Sequence, residues 1–246
     1  MAEPTLPDNL VRLWRLRTGP RLGRPAELDI DRVVDTAVRL ADEGGLAAAT
    51  LPKIAAALSV TPMSLYRHIG SKEELVGLMA DAGLGPVPEF ATAPWRPALR
   101  GWAVAQSAVY RRRPWLAQLP VTGPPRGPNA VSWMDAGLRT LRETGLGWAA
   151  KIGVITVVGG YVRHAFVLDR QLSESWDAAQ LDEAQALRNY VRELTEVADP
   201  ARFPDVTALL GSGLFEAIPE PSESADQDFA FGLDLILDGV AAAVER

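Results

Sequence analysis

Apolar residues recur at helical spacing through the first third of the chain. Between Ile30 and Ala41 they lie three or four positions apart, with Asp29 before them and Gly44-Gly45 after them. Side chains at this spacing share one face of a helix, Asp is a favoured N-cap, and Gly favours a helix end. Three shorter helices are predicted next, each opened by a residue that commonly caps helices: Thr50, Thr61 and Ser71, the last spaced as a capping box with Glu74.

The rest of the chain has the same helical periodicity and no stretch long enough to predict a strand. Glycine and proline cluster at Gly83–Pro88, which marks a domain boundary and a candidate hinge. A polar loop is predicted around 171–182 and an irregular stretch at 199–224. The predicted helices beyond the boundary cover 97–110, 128–144, 147–169, a segment ending near 198, and 226–245. The pattern therefore predicts an all-α fold, with domains at 25–82 and 83–246.

Composition excludes several kinds of chemistry. The chain has no cysteine, so it forms no disulfide and has neither a thiolate metal site nor a cysteine nucleophile. Its two histidines, His68 and His164, are too far apart in sequence to form a ligand pair on one helix. No nucleophile elbow or glycine-rich phosphate loop is present. We therefore expect a protein that is not an enzyme and that uses neither a cofactor nor a metal ion.

Charge is unevenly distributed along the chain, whose net charge is -6. The N-terminal arm, residues 1–24, holds Arg12, Arg15, Arg17, Arg21 and Arg24 against Glu3 and Asp8. A basic arm on an acidic body is compatible with nucleic-acid binding at one end, and equally with a solvated leader. The sequence shows neither a signal-peptide core nor a run of about 18 apolar residues. We expect a cytoplasmic protein that does not contact a membrane.

Residues 50–75 have the dimensions of a helix-turn-helix. Two short helices are separated by a three-residue turn, and small Ala55 stands where they approach closely. In the second helix Leu65 and Ile69 face inward, whereas the outer face carries polar side chains that can reach phosphates and base edges: Ser64, Tyr66, Arg67 and His68. This spacing alone fits a DNA-reading module, and equally a small helical unit that never touches DNA.

The residue pattern of this segment closely resembles the N-terminal domain of the tetracycline-repressor (TetR) family. It is carried by Ala37, Leu40, Gly44, Thr50, Ile54-Ala55, Leu58-Ser-Val, Leu65-Tyr-Arg-His-Ile69 and Lys72-Glu-Glu-Leu75. The resemblance implies a three-helix DNA-binding domain that binds double-stranded operator DNA. The residues it assigns to DNA contacts, with two arginines of the arm added, are Arg21, Arg24, Thr50, Thr61, Pro62, Met63, Ser64, Tyr66, Arg67, His68 and Lys72.

The C-terminal region resembles the ligand-binding domain of the tetracycline-repressor subgroup, through Trp95, Val167-Leu-Asp169 and Phe229–Ile236. The resemblance implies homodimerisation through a four-helix bundle built from about 147–169 and 226–245. Two apolar faces along 147–169 agree with this, since one can face a partner; burial of both within one chain is the alternative. The first face comprises Trp148, Ile152, Ile155, Gly159, Val162 and Phe166, and the second Val154, Val158, Tyr161 and Ala165.

The same subgroup holds tetracycline as a magnesium chelate through a histidine, a threonine and an acidic residue of the other protomer. The corresponding positions here are Leu119, Thr122 and, approximately, Asp169. Leucine cannot ligate a metal, so a different effector is expected, and a tryptophan-rich domain suits a hydrophobic or aromatic one. The tryptophans fit a plain helical core equally well. Candidate effector contacts are Trp102, Gln106, Trp115, Leu119, Thr122, Trp133, Tyr161 and His164.

The predicted function is that of a repressor released from a palindromic operator by a small-molecule effector. The arm arginines are candidates for minor-groove or phosphate contacts. A scaffold protein that retains the helix-turn-helix, or a regulator without a ligand, is the alternative.

Overall fold

The computed structural model describes residues 6–16, 28–90, 93–215 and 221–245, and of 221–224 only the backbone. Within these ranges the chain forms α-helices and two 3-10 turns, Leu46–Ala48 and Pro114–Gln118, without a β-strand. The all-helical prediction is confirmed. The helices are α1 (Asp8–Leu13), α2 (Ile30–Gly44), α3 (Leu51–Ala57), α4 (Pro62–Ile69), α5 (Lys72–Leu84), α6 (Trp95–Arg112), α7 (Pro128–Thr140), α8 (Trp148–Ala178), α9 (Glu183–Val197), α10 (Pro204–Leu210) and α11 (Pro221–Val244).

Most of the predicted N-caps form. The Asp29 carboxylate accepts the backbone N–H of Arg32 at 2.8 Å, and the Thr61 and Ser71 hydroxyls accept the corresponding N–H groups of α4 and α5. Thr50 stands at the N-cap of α3 without a side-chain hydrogen bond. The predicted capping box of α5 is only half formed, because the Glu74 carboxylate binds Arg12 instead of returning to the backbone at Ser71.

Helices α2 to α5 enclose one apolar core. The buried face of α2 packs on α5, and α3 and α4 close the core from the other side. Each helix contributes side chains at the spacing that brings them onto one face. The fully buried members are Val33, Val34, Ala37, Ala41, Ile54, Ala55, Leu65, Ile69, Leu75, Leu78 and Met79.

Three segments differ from the sequence-based expectation. The arm contains a helix, α1, which packs against α5. The polar loop predicted around 171–182 is helical as far as Ala178, because the segment lacks Gly and Pro and an i,i+4 ion pair joins Arg170 to Glu174. The stretch predicted to be irregular at 199–224 contains α10, which has Pro204 at its first position, and the start of α11.

Backbone contacts divide the chain into two compact units, residues 1–159 and 160–246. Unit 1 contains α1 to α7 and the first part of α8; unit 2 contains the rest of α8 and α9 to α11. The boundary expected at residues 82 and 83 does not coincide with this division, because α5 continues through Gly83 and packs against α7 and the Pro114–Gln118 turn. Within unit 1, α6 and α7 bury Leu99, Trp102 and Trp133.

Candidate nucleic-acid interface and effector domain

The two helices α3 and α4 form the predicted helix-turn-helix. The turn between them relies on Ser59, which adopts a left-handed conformation with φ of 57°. The backbone N–H of Ser59 donates to Ala56 and that of Val60 to Ala55, at 3.1 and 2.9 Å, which reverses the chain within four residues. Ala55 is 1% exposed. Its small side chain therefore allows the close approach that the motif requires.

Helix α4 has one anchored and one exposed face. Leu65 and Ile69 are both fully buried, whereas Met63 is 74% exposed and Tyr66 is 41% exposed. Arg67 is also exposed and makes no ion pair with any residue that the structure describes. An exposed arginine beside an exposed methionine and a phenol gives the helix a charged donor, an apolar contact and a hydroxyl. These are the groups that read base edges and phosphates.

The remaining predicted DNA contacts surround this face. Thr50, Thr61, Pro62 and Lys72 are exposed at the first turns of their helices, whereas His68 is half-buried and already engaged within the chain. The Ser64 hydroxyl lies 3.0 Å from the Thr61 hydroxyl, so it forms part of the cap of α4.

Lys53 is exposed in the first turn of α3 and was missed by the sequence-based assignment. The sequence does indicate it, because a lysine in the first turn after the predicted N-cap Thr50 lies where phosphates bind helix N-termini.

The arm places its described arginines against acidic side chains. Arg12 pairs with Glu74 and Arg15 with Asp31, at 2.6 and 2.5 Å. Their charges are therefore matched within the chain. Two other arginines assigned to DNA, Arg21 and Arg24, and also Arg17, lie outside the described residues.

Hydrogen bonds join the DNA-binding helices to α7. The Asp81 carboxylate of α5 accepts the backbone N–H groups of Asn129 and Ala130, at 3.3 and 2.9 Å, and so caps the N-terminus of α7. Burial raises the pKa of Asp81, although these two hydrogen bonds and the charge of Arg15 oppose the shift. A cap supplied by another helix means that α5 and α7 hold each other in position.

A second connection runs from α2 to the end of α6. The Asp42 carboxylate accepts the indole N–H of Trp115 at 2.6 Å and the guanidinium of Arg113 at 3.1 Å. Arg113 also donates to the carbonyl of Gly83 at 2.9 Å. Two helices of the DNA-binding part, α2 and α5, are thus held by one arginine and one tryptophan from the region assigned to the effector.

Most of the predicted effector contacts in unit 1 are buried. Trp102, Trp115, Leu119 and Trp133 lie in the core, Gln106 is half-buried and Thr122 is exposed. The indole N–H of Trp102 donates to the carbonyl of Trp133, and that of Trp133 donates to the carbonyl of Gly85. These indole N–H groups therefore hold helices together, and the rings lie in the core. Among the described residues, no group of three His, Asp or Glu side chains is placed to hold a metal ion.

The other two predicted contacts lie in unit 2. The Tyr161 hydroxyl donates to the carbonyl of Phe229 at 2.9 Å, and the two rings stack at 5.7 Å. Burial, followed by the carboxylate of Asp228, raises the pKa of Tyr161. His164 is exposed. Tyr161 therefore joins α8 to α11, which the sequence-based assignment did not anticipate.

Both α8 and α11 carry large apolar side chains that the chain leaves exposed. Along α8 the side chains of Ile155, Val158 and Val162 are buried, whereas Trp148 is 74% exposed and Ile152 is 43% exposed. The predicted first face is thus divided between the core and the surface. The exposed apolar residues that accompany them are Val157, Leu168 and Leu172 on α8, and Phe231 and Leu235 on α11. Large apolar side chains left exposed in this number on two helices suit an interaction surface.

Helix α8 is also the one helix in the described part of the chain that is long and apolar enough to cross a membrane. This holds by length and composition only: mean hydropathy reaches 1.3 over its most apolar 18 residues, of which 17% are buried. Such a helix is weak support for a membrane span, since core and interface helices have the same composition.

Two sequence families match the chain, on either side of the Gly83–Pro88 segment. Residues 33–79 match the bacterial regulatory proteins of the tetR family. Residues 87–244, more than half of the chain, match the tetracyclin repressor-like C-terminal domain. The two matches together account for the helix-turn-helix and for the helices that follow it.

Characterised relatives and solved structures agree with these matches. The HTH-type transcriptional repressor DrrR1 of Streptomyces coeruleorubidus is 34% identical over 241 residues, which cover 96% of this chain and 86% of the relative. An HTH-type transcriptional regulator of Saccharopolyspora erythraea is 31% identical over 134 residues, 54% of this chain and 57% of the relative. The crystal structure of ActR from Streptomyces coelicolor with actinorhodin has the same fold, at a TM-score of 0.71 and 24% identity, covering 89% of this chain and 99% of that one. The chain therefore belongs to the TetR family of DNA-binding transcriptional regulators.

Proposed function

We propose that the protein is a repressor that binds a palindromic operator as a homodimer and leaves it when a small molecule occupies the helical domain after α5. The observation that carries the proposal is the exposed face of α4, held by the buried Leu65 and Ile69 in a helix-turn-helix of the matched family. Such a face has no role in the core of the protomer. Its exposed arginine, phenol and methionine fit a nucleic-acid surface.

The proposed complex places α4 in the major groove. Met63, Ser64 and Arg67 face the base edges, where arginine pairs with guanine and an apolar side chain contacts the thymine methyl group. Phosphates are contacted by Tyr66 and Lys72, by the exposed N-termini of α3 and α4 at Thr50, Thr61 and Pro62, and by His68. Arg21 and Arg24 extend the contacts into the minor groove.

The homodimer is supported by the exposed apolar side chains of α8 and α11. A second copy that covers these side chains explains the apolar composition of α8 without a membrane span. We therefore propose a cytoplasmic protein that does not contact a membrane. In a symmetric dimer the two α4 helices reach half-sites about 34–36 Å apart, which explains why a palindromic operator is expected.

The effector is proposed to be hydrophobic or aromatic and to bind without a metal ion or a cofactor. The position that a metal-binding histidine occupies in the tetracycline-repressor subgroup is here Leu119, which is buried and whose side chain has no metal-ligating atom. ActR, which shares the fold, binds actinorhodin in its crystal structure. No catalytic activity is proposed, since the described residues form no arrangement that supports one.

Selection from a pool of randomised duplexes tests DNA binding directly. We expect an inverted repeat to be enriched, and a mobility shift on that duplex to weaken as salt rises. Arg67→Ala should weaken binding at one base position of each half-site by about 1–3 kcal/mol, because the arginine no longer pairs with guanine there. Arg139→Ala, on the exposed side of α7, is the matched control and should bind as the parent does. Enrichment of no sequence would contradict the proposal.

The effector is tested on the selected duplex with a panel of planar aromatic compounds that includes actinorhodin. A compound that binds the protein should release the duplex, since it stabilises a state with different spacing of the α4 helices. A protein that binds its operator and is released by none of them would favour the regulator without a ligand.

A further inference from the structure

Arg12 of α1 lies over the C-terminal end of the recognition helix α4. Its Nε and Nη2 both donate to Oε2 of Glu74 in α5, at 2.8 and 2.6 Å, and both side chains are about three-quarters buried. The ion pair covers Gly70, the residue that ends α4 with φ of 74°; a Cβ there would lie 2.6 Å from Nη2 of Arg12 and 2.5 Å from Glu74. Arg12 thus fixes the corner between α4 and α5, and its positive charge lies near the negative end of the helix dipole of α4.

The two residues after α1, Trp14 and Arg15, form hydrogen bonds with two other segments of unit 1. Arg15 donates from Nε to the Asp31 carboxylate in the first turn of α2, at 2.5 Å. Trp14 donates from Nε1 to the carbonyl of Arg126, at 2.7 Å, in the exposed loop that leads into α7. Residues 8–15 therefore connect the recognition-helix corner to the loop that leads into α7, within the proposed effector domain.

We propose that residues 8–15 are a strap that positions the recognition helix for operator binding, with Arg12 as the positioning residue and Trp14 as its link to the 123–127 loop. This proposal goes beyond the proposed function. It rests on the proposed binding of operator DNA by α4. It assigns Arg12 an intramolecular role, because its guanidinium is occupied by Glu74. The competing role, a direct phosphate contact by Arg12, is the one expected of a basic arm.

A double-mutant cycle on the full-length protein and its selected duplex separates these roles. If Arg12 acts through the strap, Arg12→Ala and Glu74→Gln each weaken operator binding by about threefold to tenfold, because each removes one ion pair per protomer. The double variant binds no more weakly than the weaker single variant, since both changes remove the same interaction. The slope of log affinity against log salt stays at the parent value, because the variants keep every phosphate contact.

A phosphate contact by Arg12 gives a different result. Arg12→Ala would then reduce the salt slope by about 1.8 for a dimer, about 0.9 for each phosphate that is no longer neutralised. Glu74→Gln would leave binding unchanged or strengthen it, since it removes a competing negative charge. Either result, or unchanged affinity in all variants, overturns the strap. Failure of the parent protein to select any duplex overturns the proposed function itself, and the role of Arg12 with it.

The exchanged pair Arg12→Glu with Glu74→Arg covers the case in which the single variants fold poorly. It restores the ion pair with reversed polarity, so we expect binding within about threefold of the parent if the pair acts through position. A phosphate ligand cannot be replaced by glutamate. Affinity of the exchanged pair that stays as low as that of Arg12→Ala would overturn the proposal.

Trp14→Phe tests the link to the loop while keeping an aromatic ring in place. Loss of the indole donor should speed amide hydrogen exchange at residues 126–131 and also at 70–75, because the strap connects the two segments. Faster exchange confined to 126–131 would show that the loop contact does not reach the recognition helix, and would overturn the link.

Discussion

At the scale of single residues, Asp81 carries the connection between the DNA-binding helices and α7. Its carboxylate occupies the space next to Gly127, where no side chain fits. It also supplies the hydrogen bonds that an N-cap residue of α7 would otherwise supply. This position of the Asp81 carboxylate requires that residue 127 has no Cβ. It also carries the free-energy cost of burying a charged group.

Gly127→Ala tests the steric requirement. The Cβ of an alanine would overlap the Asp81 carboxylate, so we expect a loss of about 1–3 kcal/mol in the free energy of unfolding, measured in urea. The backbone at Gly127, with φ of -79°, suits alanine, so the loss reports the overlap alone. Gly123→Ala is the matched control in the same loop, because nothing lies within 4 Å of its Cβ position. Equal stability of the two variants would contradict the overlap.

Asp81 also predicts a pH dependence. Burial raises its pKa in the folded state above the ordinary value of 3.8, so the folded protein holds this proton to higher pH than the unfolded chain does. Its contribution to stability is therefore present at low pH and is lost as pH rises through the raised pKa. Asp81→Asn does not titrate, so the stability of the variant relative to the parent should increase across this window and then level off. Urea unfolding at several values from about pH 3.5 to about pH 7 measures the difference. A difference that decreases with pH would contradict the assignment.

At the scale of elements, α11 presents one buried and one exposed apolar face, and α8 carries exposed apolar side chains on either side of its buried ones. On α11, Leu233 and Leu237 are fully buried while Phe231 is 68% exposed and Leu235 is 58% exposed. A helix that is apolar on two faces must cover both, and the protomer covers only one. A charged side chain introduced on the exposed face of α11 should therefore weaken association of the proposed dimer.

Phe231→Asp should convert the dimer to a monomer, since a carboxylate buried between two protomers loses its hydration without a partner. Size-exclusion chromatography with light scattering measures the mass. Val197→Asp, on the 75% exposed end of α9, introduces the same charge outside the proposed interface and should remain dimeric. A Phe231→Asp variant with the parent's mass would place the interface elsewhere.

At the scale of the whole molecule, local charge has to overcome a net charge of -6 for DNA to bind. Three exposed cations, Lys53, Arg67 and Lys72, lie on or beside the helix-turn-helix. Each proposed phosphate contact made by a cation should be visible in the dependence of affinity on salt.

Lys72→Ala should weaken binding to every duplex alike and reduce the salt slope by about 1.8 for a dimer, about 0.9 per phosphate contact. Mobility shifts at several salt concentrations measure the slope. Arg192→Ala, an exposed cation on α9, is the control and should leave the slope unchanged. An unchanged slope for Lys72→Ala would remove this residue from the DNA contacts.

The local elements of this protein were set by the sequence itself. Periodicity and caps located α2 to α5, because a single face of apolar side chains and a favourable N-cap are properties of neighbouring residues. The exposed face of α4 followed from the same local pattern. The continuation of α8 to Ala178 was missed because a run of polar residues is compatible with both loop and helix.

Only the tertiary structure decided which distant groups meet. In α1, Arg12 donates to the Glu74 carboxylate, 62 positions away in the chain. The N-terminus of α7 is capped by Asp81, which belongs to α5. Trp115 is predicted to line an effector site, and only the structure shows that its indole N–H donates to Asp42 of α2. Such pairings depend on how helices pack and not on neighbours in the chain. Sequence alone therefore determined helices α2 to α5 and the family, and folding in three dimensions determined how the DNA-binding helices are held.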